Sequence, residues 1–160
     1  MLYFSATSTD GGTELWKFDG TTATLVWDIN PGVGNSNPSY LTIFNNMLYF
    51  SANGNDSAGT ELWRYDGTSV GRVADINPGA GDAGPTFLTV FNGALYFSAT
   101  GDSAGIELWK YDGTSAKRIS DLNTAGSSNP AFLTAFDNAL FFQANGGDGA
   151  GVELWKFKGP

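Results

Sequence analysis

Between residues 40 and 78 the apolar and polar positions alternate in short runs, each closed by turn residues. Leu41-Thr42-Ile43-Phe44 is β-branched and aromatic, and Asn45-Asn46 separates it from Met47–Ala52. In that second run Leu48, Phe50 and Ala52 share one face, while Tyr49 and Ser51 share the other. Asn-Asn, or Asn92-Gly93 in the next unit after Phe87–Phe91, supplies the positive φ angles of a two-residue hairpin. The pattern predicts a hairpin of strands A and B. A loop of Asn, Asp, Ser and Gly (53–60) follows, then strand C (Glu61–Tyr65), a turn at Asp66-Gly67-Thr68 and strand D (Arg72–Ile76). Asn77-Pro78-Gly79 opens a longer loop to the next strand A. Turn residues interrupt the chain too often for a sustained 3.6-residue period, which excludes helix-pair repeats.

This unit recurs. Glu-Leu-Trp stands at Glu14, Glu61, Glu107 and Glu153, starts 47, 46 and 46 residues apart, and these are the only glutamates. A fixed period of this size marks units that bury their apolar faces by stacking. One unit holds about eight large apolar side chains, each contributing about 1.5–3 kcal/mol when buried. Ordering its backbone costs about 1 kcal/mol or more per residue, so a lone unit is unfolded. Leu62 beside Trp63 places apolar side chains on both faces of strand C, as a sheet covered on both sides requires. The expected fold is all-β, a β-propeller of four-stranded blades: a partial blade over 1–30, blades over 40–78 and 86–123, and a partial blade over 131–160. That makes about 3.5 blades and 14 strands. Met1–Ala6 repeats Met47–Ala52 letter for letter, so the chain starts in mid-repeat, and the ring is expected to be completed by another chain, most simply in a homodimer, or by parts of a longer parent protein.

Charge narrows the partners. Sixteen acidic residues against 8 basic ones give a net charge of −8, with no basic stripe of the kind nucleic acids or anionic membranes need. No apolar run is long enough to span a membrane, and the N-terminus lacks the order of a signal peptide. A cation or a neutral glycan suits the charge better. Cysteine and histidine are absent, which removes thiolate and imidazole chemistry.

The segments ELWKFDGT (Glu14–Thr21), ELWRYDGT (Glu61–Thr68) and ELWKYDGT (Glu107–Thr114) resemble the signature of the ELWxxDGT repeat family of large bacterial multi-repeat proteins. The fourth copy, ELWKFKGP, departs from it at Lys158 and Pro160. The resemblance implies a propeller-like fold and an extracellular or cell-surface location, and implies no reaction.

Symmetry weighs on each candidate site, because catalytic groups ordinarily occur once and a feature present in every unit is more simply structural. Glu14, Glu61, Glu107 and Glu153 are read as carboxylates accepting hydrogen bonds from a neighbouring loop, although paired carboxylates also serve glycosidases. Trp16, Trp63, Trp109 and Trp155 are read as inter-blade core, against the alternative of stacking on sugar rings. Asp10, Asp56, Asp102 and Asp148, spaced by 46 in the B–C loops, are the binding candidates. They sit among flexible, oxygen-rich neighbours of the kind calcium uses, but without the ligand density of known calcium loops. No nucleophile elbow or phosphate-binding glycine loop occurs. The expectation is a non-catalytic module for assembly, with a lectin-like multivalent glycan binder, with or without calcium, as the alternative and no other cofactor.

Overall fold

The computed structural model describes residues 1–159, so Pro160 of the divergent fourth motif lies outside the described residues. They form 14 strands in four antiparallel sheets, with no helix among the described residues. The first sheet is β1 (Leu2–Ser8), β2 (Gly12–Phe18) and β3 (Ala23–Trp27). The second is β4 (Ser39–Phe44), β5 (Met47–Asn53), β6 (Thr60–Tyr65) and β7 (Val70–Ala74). The third is β8 (Thr86–Phe91), β9 (Ala94–Thr100), β10 (Ile106–Tyr111) and β11 (Ala116–Arg118), and the fourth β12 (Ala131–Phe136), β13 (Ala139–Asn145) and β14 (Val152–Phe157).

Local chemistry sets the turns. Asn45-Asn46, Asn92-Gly93 and Asp137-Asn138 all have positive φ at both positions, the geometry that matches the twist of a hairpin. At the C–D turn, Asp66 Oδ1 accepts from the N–H groups of Thr68 and Ser69 at 2.8 Å each, and Gly67 takes φ 99°. Strand D begins and ends two residues earlier than the sequence pattern suggests. It stops at Ala74 because Ile76 leaves the ladder and turns its N–H to Glu61.

Successive sheets stack through three apolar layers. Tyr3 and Leu15 of the first sheet meet Leu48, Phe50, Trp63 and Tyr65 of the second. Phe44, Tyr49 and Leu62 then meet Leu95, Phe97, Trp109 and Tyr111, and Phe91, Tyr96 and Leu108 meet Leu140, Phe142, Trp155 and Phe157. At each of the three junctions strand C of one sheet sends its Leu forward and strand C of the next sends its Trp back. The first strands of neighbouring sheets are joined directly: Thr42 Oγ1 donates to the Leu88 carbonyl at 3.1 Å, and Thr89 Oγ1 to that of Leu133 at 3.0 Å.

Candidate functional site

The glutamates are the buried polar centres of these junctions. Glu14 accepts from the N–H of Ile29 at 2.8 Å, the N–H of Ser36 at 3.0 Å and the Ser36 hydroxyl at 2.6 Å. Glu107 repeats this with Leu122 (3.4 Å), Ser128 N–H (2.8 Å) and Ser128 hydroxyl (2.6 Å). Glu61 accepts from Ile76, Asn77 and Ala83 N–H groups at 2.8, 3.4 and 3.3 Å, and has no hydroxyl donor because Ala83 stands where the others have serine. All three carboxylates are at most 1% exposed, and each ties the D–A loop to strand C of its own sheet. Burial pushes the Glu61 carboxyl up to about 7, against the lowering effect of the three amides. Glu153 differs from the sequence expectation: it is exposed, since no loop after strand C folds over it among the described residues.

The tryptophans divide in the same way. Trp63 and Trp109 are buried between sheets, and the half-buried Trp155 donates its indole N–H to the Ala144 carbonyl at 3.0 Å. Trp16 is half-buried on the outer face of the first sheet and packs into none of the three layers. Each inter-sheet indole lies against a glycine at the end of strand B, namely Gly54, Gly101 and Gly146.

The loop aspartates are all exposed. Asp56 accepts from the Ala58 N–H at 3.3 Å and pairs with Arg72 at 3.4 Å. Asp102 accepts from Ala104 N–H at 3.0 Å and pairs with Arg118 at 2.7 Å. Asp148 accepts from Ala150 N–H at 3.0 Å, and Asp10 occupies the tight β1–β2 turn. These side chains shape their loops, and at Asp56 and Asp102 an arginine takes the place a cation would need. Among the described residues no cluster of three or more acidic side chains is disposed to hold a metal. The B–C and D–A loops do share one rim: Ser36, Ala83 and Ser128 N–H groups donate to the carbonyls of Thr13, Thr60 and Ile106, just past the B–C loops.

Two features escaped the sequence reading. Tyr40, Phe87 and Phe132 stand in a row along the first strands with centroids 5.5 and 5.3 Å apart. Each has φ between 54° and 56°, at a register shift in its strand, a conformation that costs a non-glycine residue roughly 1–2 kcal/mol. The signal was available as the aromatic residue before each Leu-Thr. The second feature is the pair of free faces. On the first sheet, Leu2, Phe4, Trp16 and Phe18 hold the positions that Leu48, Phe50, Trp63 and Tyr65 hold one repeat later. On the fourth, Phe136 (69% exposed), Phe141 and Leu154 (77% exposed) hold those of Phe44, Tyr49 and Leu62.

No family model matches the chain, and no curated protein sequence matches it. Among solved structures it is similar to Zg3597, a family 117 glycoside hydrolase produced by the marine bacterium Zobellia galactanivorans. That likeness has a TM-score of 0.44 and 14% identity over 93% of this chain and 53% of the other. The chain spans about half the length of that structure. The expectation that the protein is not an enzyme is corrected by this finding, because the fold-level neighbour is itself a hydrolase. Symmetry of the repeats is no ground for excluding catalysis, and at this degree of likeness neither substrate nor mechanism carries over. No helix among the described residues is long and apolar enough to cross a membrane.

Proposed function

We propose that the chain is a propeller repeat module that assembles with itself, the free face of the fourth sheet of one copy stacking on the free face of the first sheet of another. The observation that supports this most is the correspondence of those two faces to the two sides of a layer the chain already contains three times. Phe136 and Phe141 stand 6.3 Å apart, as the first two members of an aromatic triplet whose third member, at the inner junctions, is Tyr111 or Phe157. Phe18 of a second copy is the matching third ring. Two such contacts related by a twofold axis close a ring of two copies. The resemblance to the ELWxxDGT repeat family, which implies an extracellular multi-repeat protein, is in keeping with this reading.

Light scattering on the 160-residue chain tests the proposal. A mass of twice 16.9 kDa that falls to the monomer value on Leu154→Asp is expected. A monomer at every concentration overturns it.

A second reading, a multivalent glycan binder, draws support from the aromatic row of Tyr40, Phe87 and Phe132, whose outer members Tyr40 and Phe132 are exposed, rather than from the loop aspartates. Aromatic faces stack on the apolar faces of sugars. Glycan-array binding that disappears with Phe132→Ala supports it, and an array without binding removes it.

A further inference from the structure

We propose that the open edge of β1, with the cavity beside Tyr3, is a peptide-binding site that takes one extended segment of the pattern Leu-Thr-x-Phe. β1 corresponds to β5 and β9, and both of those strands carry a first strand on the same edge. Their registers agree: Thr42 faces Tyr49, Ile43 faces Leu48 and Phe44 faces Met47, while Thr89 faces Tyr96, Val90 faces Leu95 and Phe91 faces Ala94. β1 ends its sheet with this edge unpaired.

The side chains repeat the argument. At the second junction Phe44 lies 5.7 Å from Tyr49, which lies 5.7 Å from Tyr111. At the third, Phe91 lies 5.8 Å from Tyr96, which lies 5.7 Å from Phe157. At the first junction only two rings are present, Tyr3 and Tyr65 at 5.8 Å. Beside them is a cavity of about 310 Å³ lined by Tyr3, Ile43, Asn46, Leu48, Tyr65, Asp66 and Gly67. A volume of roughly 150 Å³ already accommodates a benzene ring. A peptide laid along β1 places its Thr opposite Tyr3 and its Phe opposite Met1, with the ring in the cavity. Main-chain hydrogen bonds supply affinity and the phenyl pocket supplies selectivity, the division of labour seen wherever a strand is added to a sheet edge. The site does not depend on ring closure, because its walls belong to the first and second sheets and not to the two free faces.

The test is fluorescence polarisation with a labelled synthetic peptide of residues 86–93 titrated with the whole chain. Saturable one-to-one binding is expected. It should weaken by about tenfold or more when the second Phe of the peptide is replaced by Ala, and likewise with the protein variant Ile43→Asp, whose side chain is exposed on the cavity wall. Leu154→Asp, on the free face of the fourth sheet, should leave the peptide affinity unchanged. Absence of saturable binding, equal binding of a scrambled peptide, or loss of binding in Leu154→Asp each overturns the proposal, the last by moving the peptide to the assembly face.

Discussion

Ser128 Oγ donates a 2.6 Å hydrogen bond to Glu107 Oε2, and the corresponding position beside Glu61 is Ala83. Ala83→Ser should therefore stabilise the fold by about 1.5–3 kcal/mol where Glu61 is ionised, the range for a hydrogen bond to a charged acceptor. It should also bring the Glu61 carboxyl down from about 7. Urea denaturation of the two proteins and a carboxyl NMR titration of Glu61 check both effects.

Stability should fall between pH 4.5 and pH 7 through Glu61. Its carboxyl binds a proton more tightly folded than unfolded, so this contribution is complete below the unfolded pKa of 4.5 and is lost as pH rises through about 7. The full loss is about 3 kcal/mol at most. Asp66 works in the opposite sense. The amides of Ser69 and Thr68 hold its carboxyl at about 2, so its contribution is present above pH 3.8 and disappears as pH falls toward 2. Thermal melts across this range should show the Glu61 slope flattened in Ala83→Ser.

Glu107→Ala should cost about 3 kcal/mol or more, because it leaves the Leu122 and Ser128 N–H groups and the Ser128 hydroxyl buried without an acceptor. Glu153→Ala, in the same tripeptide but exposed, should stay within about 0.5 kcal/mol. Equal losses in chemical denaturation would contradict the loop-clasp role.

Gly101→Ala should destabilise by about 1–3 kcal/mol, since the new Cβ would clash with the Trp109 ring and sit 2.6 Å from the Ile76 carbonyl oxygen. Gly71→Ala, in β7 with nothing within 4 Å, should be neutral or gain up to about 1 kcal/mol. Differential melting of the two variants measures the contrast.

Much of the fold was legible because its determinants are local. Asn45-Asn46 and Asp66-Gly67 encode their turns in adjacent residues, and the alternation of Leu48, Tyr49 and Phe50 encodes the two faces of β5 without reference to any other strand. The end of strand D was not legible, because Ile76 leaves the ladder for an acceptor 15 residues away on Glu61. Nor were the bulges under Tyr40, Phe87 and Phe132, since a register shift is a property of two strands and not of one. The exclusion of catalysis rested on repeat symmetry and on the absence of known catalytic motifs, properties of the sequence that do not speak to what a face of the folded chain binds.

The sequence alone determined the repeated elements, their order and the residue types at each position, because turn geometry and strand alternation are settled within a few neighbouring residues. Only the tertiary structure decided which copies become core. Glu107-Leu108-Trp109 and Glu153-Leu154-Trp155 are the same three letters, yet Leu108 is 1% exposed and Leu154 77%. Burial depends on whether a loop and a further sheet cover the site, and that depends on position in the stack rather than on the tripeptide itself.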